Sequence, residues 1–256
     1  MDREQARQAF DAYVSAYDPT NPRIALKIEH TLRVTDLCER IARAVGLKGH
    51  DVDLAWLLGL LHDIGRFEQV RRYDTLSDRA SVSHAALGVE VLFADEGGQQ
   101  LLRRFCPDEG EDDLIRTAIA THSDYRLPAD LDQRTRTFCD ILRDADKVDI
   151  LQVNCVCPVE DIYGVTEQDM VVSPVSPACV DVFYEHRCLP RDIRAYPADL
   201  VLTHICFAWE LCYEESLRIV REQGFLSQML SRTWLLPETQ QAFSAMATHM
   251  RSELGV

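Results

Sequence analysis

Apolar residues along the chain recur at three- and four-residue spacing, and strict alternation is almost absent, so the pattern predicts an all-α fold. A first helix is expected over about 3–17, ending before Asp18-Pro19. A second starts after Asn21-Pro22, carries Ile24, Ile28, Val34, Leu37, Ile41 and Val45, and stops near Gly46. The third, about 51–64, is apolar nearly all round, which marks a buried central helix. Gly65 reads as its terminator, and residues 66–78 as a polar, Arg-rich connection. A fourth helix is expected over about 78–94, stopping before Gly97-Gly98. A fifth follows the acid-rich stretch Asp108-Glu109-Gly110-Glu111-Asp112-Asp113, whose charges suit a helix N-terminus. The sixth covers about 133–151.

Beyond residue 151 the pattern changes. Five of the ten prolines (Pro158, Pro174, Pro177, Pro190 and Pro197) fall within 151–200, without a long periodic run. A stretch this irregular reads as a loop region or lid over 152–198. Periodicity returns from about 198 to 221 through Leu202, Ile205, Cys206, Trp209, Cys212, Leu217 and Val220, and one or two short helices fill 225–253. At 256 residues the chain is read as one domain: a core over 24–151, the lid, and C-terminal helices over 199–253 packing on that core.

Histidines and aspartates fall on the apolar stripes. His30 continues the stripe 30, 34, 37, 41; His62-Asp63 closes the buried third helix; His84 heads the stripe 84, 87, 88, 91, 92. His122 ends the stripe 115, 118, 119, 122, and Asp146 shares a face with Phe138 and Ile141. Two inward carboxylates among four imidazoles need a shared partner, since an unpaired buried charge costs several kcal/mol. A divalent transition metal accepts this N and O donor set.

In this order the residues are similar to the signature of the HD-domain superfamily of metal-dependent phosphohydrolases. The similarity rests on His30, on Leu61-His62-Asp63-Ile64-Gly65-Arg66-Phe67-Glu68, and on Arg143-Asp144-Ala145-Asp146-Lys147. Asp78-Arg79 before Ser83-His84-Ala85-Ala86-Leu87-Gly88, and Ile119-Ala120-Thr121-His122, resemble the segments carrying further histidine ligands in two-metal members. The resemblance implies His30, His62, Asp63 and Asp146 on one ion, with Asp63 bridging to a second held by His84 and His122. The metal itself is left open among Mn, Fe, Co, Ni and Zn. It implies hydrolysis of a phosphomonoester or nucleotide by a metal-activated hydroxide, with Asp63 and Arg66 as catalytic residues. Arg66, Arg79 and Lys147 are the candidate cations for a small anionic phosphorylated substrate. Ser83 stands where the family pattern leads one to expect an acidic residue. The same four-His, two-Asp set resembles the mixed-valent di-iron oxygenases of the superfamily, and a non-catalytic metal-dependent binding domain is a third reading. The Gly-Tyr-Pro element of cyclic-dinucleotide hydrolases is absent.

Composition adjusts this picture at its edges. With 27 Lys+Arg against 42 Asp+Glu the net charge is −15, which argues against a protein that tracks duplex nucleic acid. The polar, acidic start and a longest apolar run of eight residues, Leu54–Leu61, predict neither a signal peptide nor a membrane partner. Nine cysteines without a paired framework suggest reduced thiols and a cytoplasmic location, and Cys155-x-Cys157 lacks the second pair a zinc site needs. His50, His186, His204 and His249 belong to no comparable constellation.

Overall fold

Polar caps decide where the helices of this chain begin. In the computed structural model, which describes residues 1–95 and 99–256, Asp2 accepts from Glu4 N and Gln5 N to start α1 (Arg3–Val14). Asn21 caps α2 (Pro22–Ala44), whose first residue is a proline with no amide to leave unpaired. There follow α3 (His50–Leu61), α4 (Ile64–Tyr73), a 3₁₀ turn at Asp78–Ala80, and α5 (His84–Phe93). Then come α6 (Leu102–Phe105), α7 (Asp112–Thr121) and α8 (Gln133–Val156). Ser77 caps the 3₁₀ turn and Ser83 caps α5, accepting from Ala80 N and Ala86 N. The described residues contain no strand, only an isolated bridge between Asp95 and Gln100.

The chain divides into two compact units, Met1–Asp146 and Lys147–Val256, with the boundary inside α8. In the first unit, α3 is buried from Leu54 through Leu61 and packs along α2. Their approach needs Gly59, because a Cβ there would lie 2.7 Å from Thr35 Cα. A second close contact joins α4 to α5. A Cβ on Gly65 would meet His84 O at 2.3 Å and Gly88 N at 2.4 Å, and α7 also packs on α5. Within α4, the buried Glu68 accepts from Tyr17 Oη at 2.5 Å, and Arg71 and Arg72 complete that carboxylate's pairing.

Three expectations are corrected here. Residues 66–78 are not a connection, since Ile64–Tyr73 is helical, with Ile64, Phe67 and Val70 buried. Gly65 does not terminate a helix; it lies in the first turn of α4 and admits α5. The helix expected over 78–94 is a 3₁₀ turn followed by α5, and the Gly97-Gly98 stop lies outside the described residues.

The second unit contains α9 (Val159–Tyr163), α10 (Glu167–Val171), α11 (Pro177–Tyr184), a 3₁₀ turn at Arg191–Ile193, and α12 (Pro197–Ile205). A 3₁₀ stretch at Cys206–Glu210 leads into α13 (Glu214–Gln223), α14 (Phe225–Leu230) and α15 (Pro237–Leu254). The stretch expected to be irregular is thus partly helical. Its prolines mostly mark helix starts: Pro158 and Pro190 precede short helices, and Pro177 and Pro197 occupy first turns. Buried Asp199 accepts from Ser176 N and Oγ and from Ala195 N and Tyr196 N, tying these turns together. The last helix runs 18 residues, longer than expected.

The glycine contacts set a test of packing. Gly65→Ala forces a methyl group into backbone atoms that cannot rotate away, so it is expected to cost about 1–3 kcal/mol or more. Gly88→Ala meets one tight neighbour, the Ile119 side chain at 3.3 Å, with Gly65 N at an ordinary 3.5 Å, and should cost clearly less. Equal denaturant midpoints for the two variants would show that the α4–α5 approach does not depend on Gly65.

Candidate metal centre

Six side chains of the first unit converge, each delivered by a different local device. His30 lies on the buried face of α2 with Val34, Leu37 and Ile41. His62 and Asp63 occupy the break between α3 and α4, where Asp63 adopts φ −104°, ψ 17°. His84 opens α5, His122 follows α7, and Asp146 lies within α8. The four histidines are buried, and the Asp63 carboxylate is only 4% exposed.

The donors form two groups, His30–His62–Asp146 and Asp63–His84–His122, each able to hold a metal ion. In the first, His30 Nε2 lies 3.2 Å from His62 Nε2 and 3.1 Å from Asp146 Oδ1. In the second, His84 Nε2 and His122 Nε2 are 3.0 Å apart. Asp63 touches both: Oδ2 is 3.5 Å from His30 and from His62, while Oδ1 is 3.6 Å from His84 and 3.8 Å from His122.

The tautomers indicate a cation. His62 Nδ1 donates to Gly59 O at 2.7 Å and His122 Nδ1 to Ile119 O at 2.8 Å, because a carbonyl can only accept. His84 Nδ1 faces Asp78 Oδ2 at 2.7 Å and donates likewise. The Nε2 atoms of neutral His84 and His122 therefore point bare lone pairs at one another. A proton on His84 is a poor remedy, since burial first, and then the Arg66 charge, lowers its pKa to about 4 against the pull of Asp78. A metal satisfies both nitrogens, and the donor set fits one.

Burial alone would raise the Asp63 carboxyl, but Lys27 and the surrounding imidazoles outweigh it and hold the group well below the usual range. Asp146 is also held low, the histidines again overcoming desolvation. Both are carboxylates, the form a metal requires.

Among the candidate cations, Arg66 is largely committed to the fold. Its Nη1 lies 2.7 Å from Gln69 Oε1, 2.6 Å from Leu76 O and 2.8 Å from Asp78 Oδ1, and its Nε is 3.5 Å from Asp63 Oδ1. Arg79 is exposed on the 78–80 turn. Lys147 donates to Glu210 at 3.1 Å, so it is a neutralised cation rather than an open one.

Three contributors had no role assigned from the sequence. Lys27, one turn before His30 on α2, donates to Asp63 Oδ2 at 2.7 Å; its spacing of three from His30 was the available signal. Asp78 orients His84 and supplies the carboxylate that Ser83, a helix cap, does not. Arg143 Nη1 lies within 3.1 Å of Thr121 O, His122 O and Asp124 O, which holds the chain around His122.

Residues 28–151 match the family model of the HD domain, a span that contains all six converging side chains. The chain carries an HD domain over those residues, and HD domains form a superfamily made up mostly of metal-dependent hydrolases. No curated protein and no solved structure gives a significant match. Among the described residues, no helix is long and apolar enough to cross a membrane.

Asp78→Ala frees His84 Nδ1 from its carboxylate, and loss of such a partner usually weakens metal binding about 10–100-fold. Calorimetric titration with Mn2+ or Ni2+ should show that loss for at least one class of site. Unchanged affinity would mean that Asp78 serves only the 76–82 turn.

Proposed function

We propose that this chain is a metal-dependent phosphohydrolase acting on small phosphomonoesters or nucleotides. The observation that supports the reading is the placement of charge around Asp63. Lys27 and Arg66 pair with Asp63 and Asp78, while Asp146 meets only imidazoles, so these five residues carry about one excess negative charge. Two divalent ions would turn that into about three positive charges, a setting that suits a phosphate dianion.

Divalent ions held by the two groups would supply Lewis acidity and lower the pKa of a coordinated water from about 15.7 towards about 7. The chain's own residues do the rest. Asp63 offers one oxygen to each group and so keeps the groups in a fixed relation. Asp78 and the carbonyls of Gly59 and Ile119 hold the Nδ1 protons, leaving the Nε2 lone pairs turned inward. Lys27 has one proton engaged by Asp63 and others to give a phosphoryl oxygen, whereas Arg66 contributes charge from a fixed position. Lys27 thus takes a substrate-binding role, for which Lys147, paired with Glu210, has less to give.

Purified protein loaded with Mn, Fe, Co or Ni is expected to release phosphate from a panel of monoesters and nucleotides. Asp63→Ala should abolish release. Lys27→Met removes one charge-assisted hydrogen bond, worth about 1.5–3 kcal/mol, and should lower kcat/KM roughly 10–100-fold. Absence of turnover across a broad panel, together with substrate-dependent oxygen uptake by the iron-loaded protein, would replace this reading with the oxygenase one.

A further inference from the structure

The second unit holds another pair of imidazoles arranged like those of the HD domain. His186 Nε2 lies 2.8 Å from His249 Nε2, although the residues are 63 apart in sequence. His186 follows α11 and His249 lies within α15. Both rings are fixed from outside the pair. The His186 ring stacks on Trp209 with centroids 4.0 Å apart and planes 10° from parallel. The His249 ring packs at steep angles against Phe183 and Tyr184.

The backbone contributes as well. His186 has φ 56°, in the left-handed region, one of two such non-glycine positions among the described residues. Glycine would be easier there, yet the chain places an imidazole at this position and turns it towards His249. His186 is exposed and His249 half-buried, so a ligand from solvent can reach the pair.

We propose that His186 and His249 form a second cation site, built within the Lys147–Val256 unit and suited to Cu2+ or Ni2+. Two cis nitrogens at about 2.0 Å from an ion in a square-planar or tetragonal site lie about 2.8–2.9 Å apart, so the pair can close on such an ion with little movement, and water can fill the remaining positions. Imidazole nitrogens suit Cu2+ and Ni2+, which favour that geometry. A bound ion would tie the end of α11 to α15.

Trp209 provides the readout, because a paramagnetic ion bound to the imidazole stacked on it quenches its emission. Titrating the whole protein with Cu2+ or Ni2+ should quench Trp209 with saturation, and Zn2+ should not quench. His249→Ala and His186→Asn, the second chosen because Asn tolerates the left-handed backbone, should each raise the quenching midpoint at least tenfold. Asp63→Ala should leave the midpoint unchanged, which separates this site from the HD-domain cluster. Trp209→Phe should remove the quenching component that the histidine variants shift. Equal midpoints in wild type and both histidine variants would overturn the proposal and leave the pair as a simple hydrogen bond. Quenching in Trp209→Phe that still shifts its midpoint on His249→Ala would overturn it too.

Discussion

Asp63 is the constraint on which the HD-domain cluster depends. One buried carboxylate serves two imidazole pairs, and it follows directly after a histidine that belongs to one of them. Consecutive residues on a continuous helix point about 100° apart and cannot both face one point. The chain answers by stopping α3 at Leu61 and restarting at Ile64, with Asp63 in the sparsely populated bridge region of backbone space. The break has consequences for packing. It turns α4 against α5, and that approach is possible only where Gly65 lies against the His84 carbonyl. Asp63 and His84 are thus brought together by a helix break and a missing side chain.

Much of this was legible in the sequence because ligand positions coincide with apolar periodicity. His30 and His122 fall where a core residue is due, so the same pattern that predicts a helix also predicts which way the imidazole points. The α4 segment was less legible for a physical reason. Its apolar residues, Ile64, Phe67 and Val70, are separated by charged ones, and its glycine sits near a helix end as a terminator would. Gly65 is needed for close approach and not for a left-handed turn, and sequence alone does not distinguish those uses. Lys27 and Asp78 were missed because neither stands on an apolar stripe as a recognisable donor; their meaning comes from what they touch. The prolines of 151–200 misled in the other direction, since a proline that opens a helix looks like one that interrupts it.

Global and local charge say different things about this protein. A net charge of −15 disfavours extended polyanions, whose affinity depends on many basic contacts. It says little about a buried cluster, where desolvation magnifies the few charges present and Lys27 and Arg66 sit directly on the Asp63 carboxylate. An acidic chain and a local pair of cations on one buried carboxylate are therefore compatible.

Asp78 shows how the cluster extends beyond its donors. One of its oxygens faces His84 Nδ1, and the other receives Arg66 and Gln69. Gln69 also reaches Ser81 and Val82, while Arg66 reaches Leu76 O. The turn between α4 and α5 is thus stitched to the same carboxylate that sets the His84 tautomer. Burial tends to raise that carboxyl, but the His84 hydrogen bond and the charges around it hold it ionised. Order in the turn and readiness of His84 to bind a cation therefore rest on one ionised group. A substitution that loosens residues 74–82 would reach the centre through Asp78 without touching a ligand.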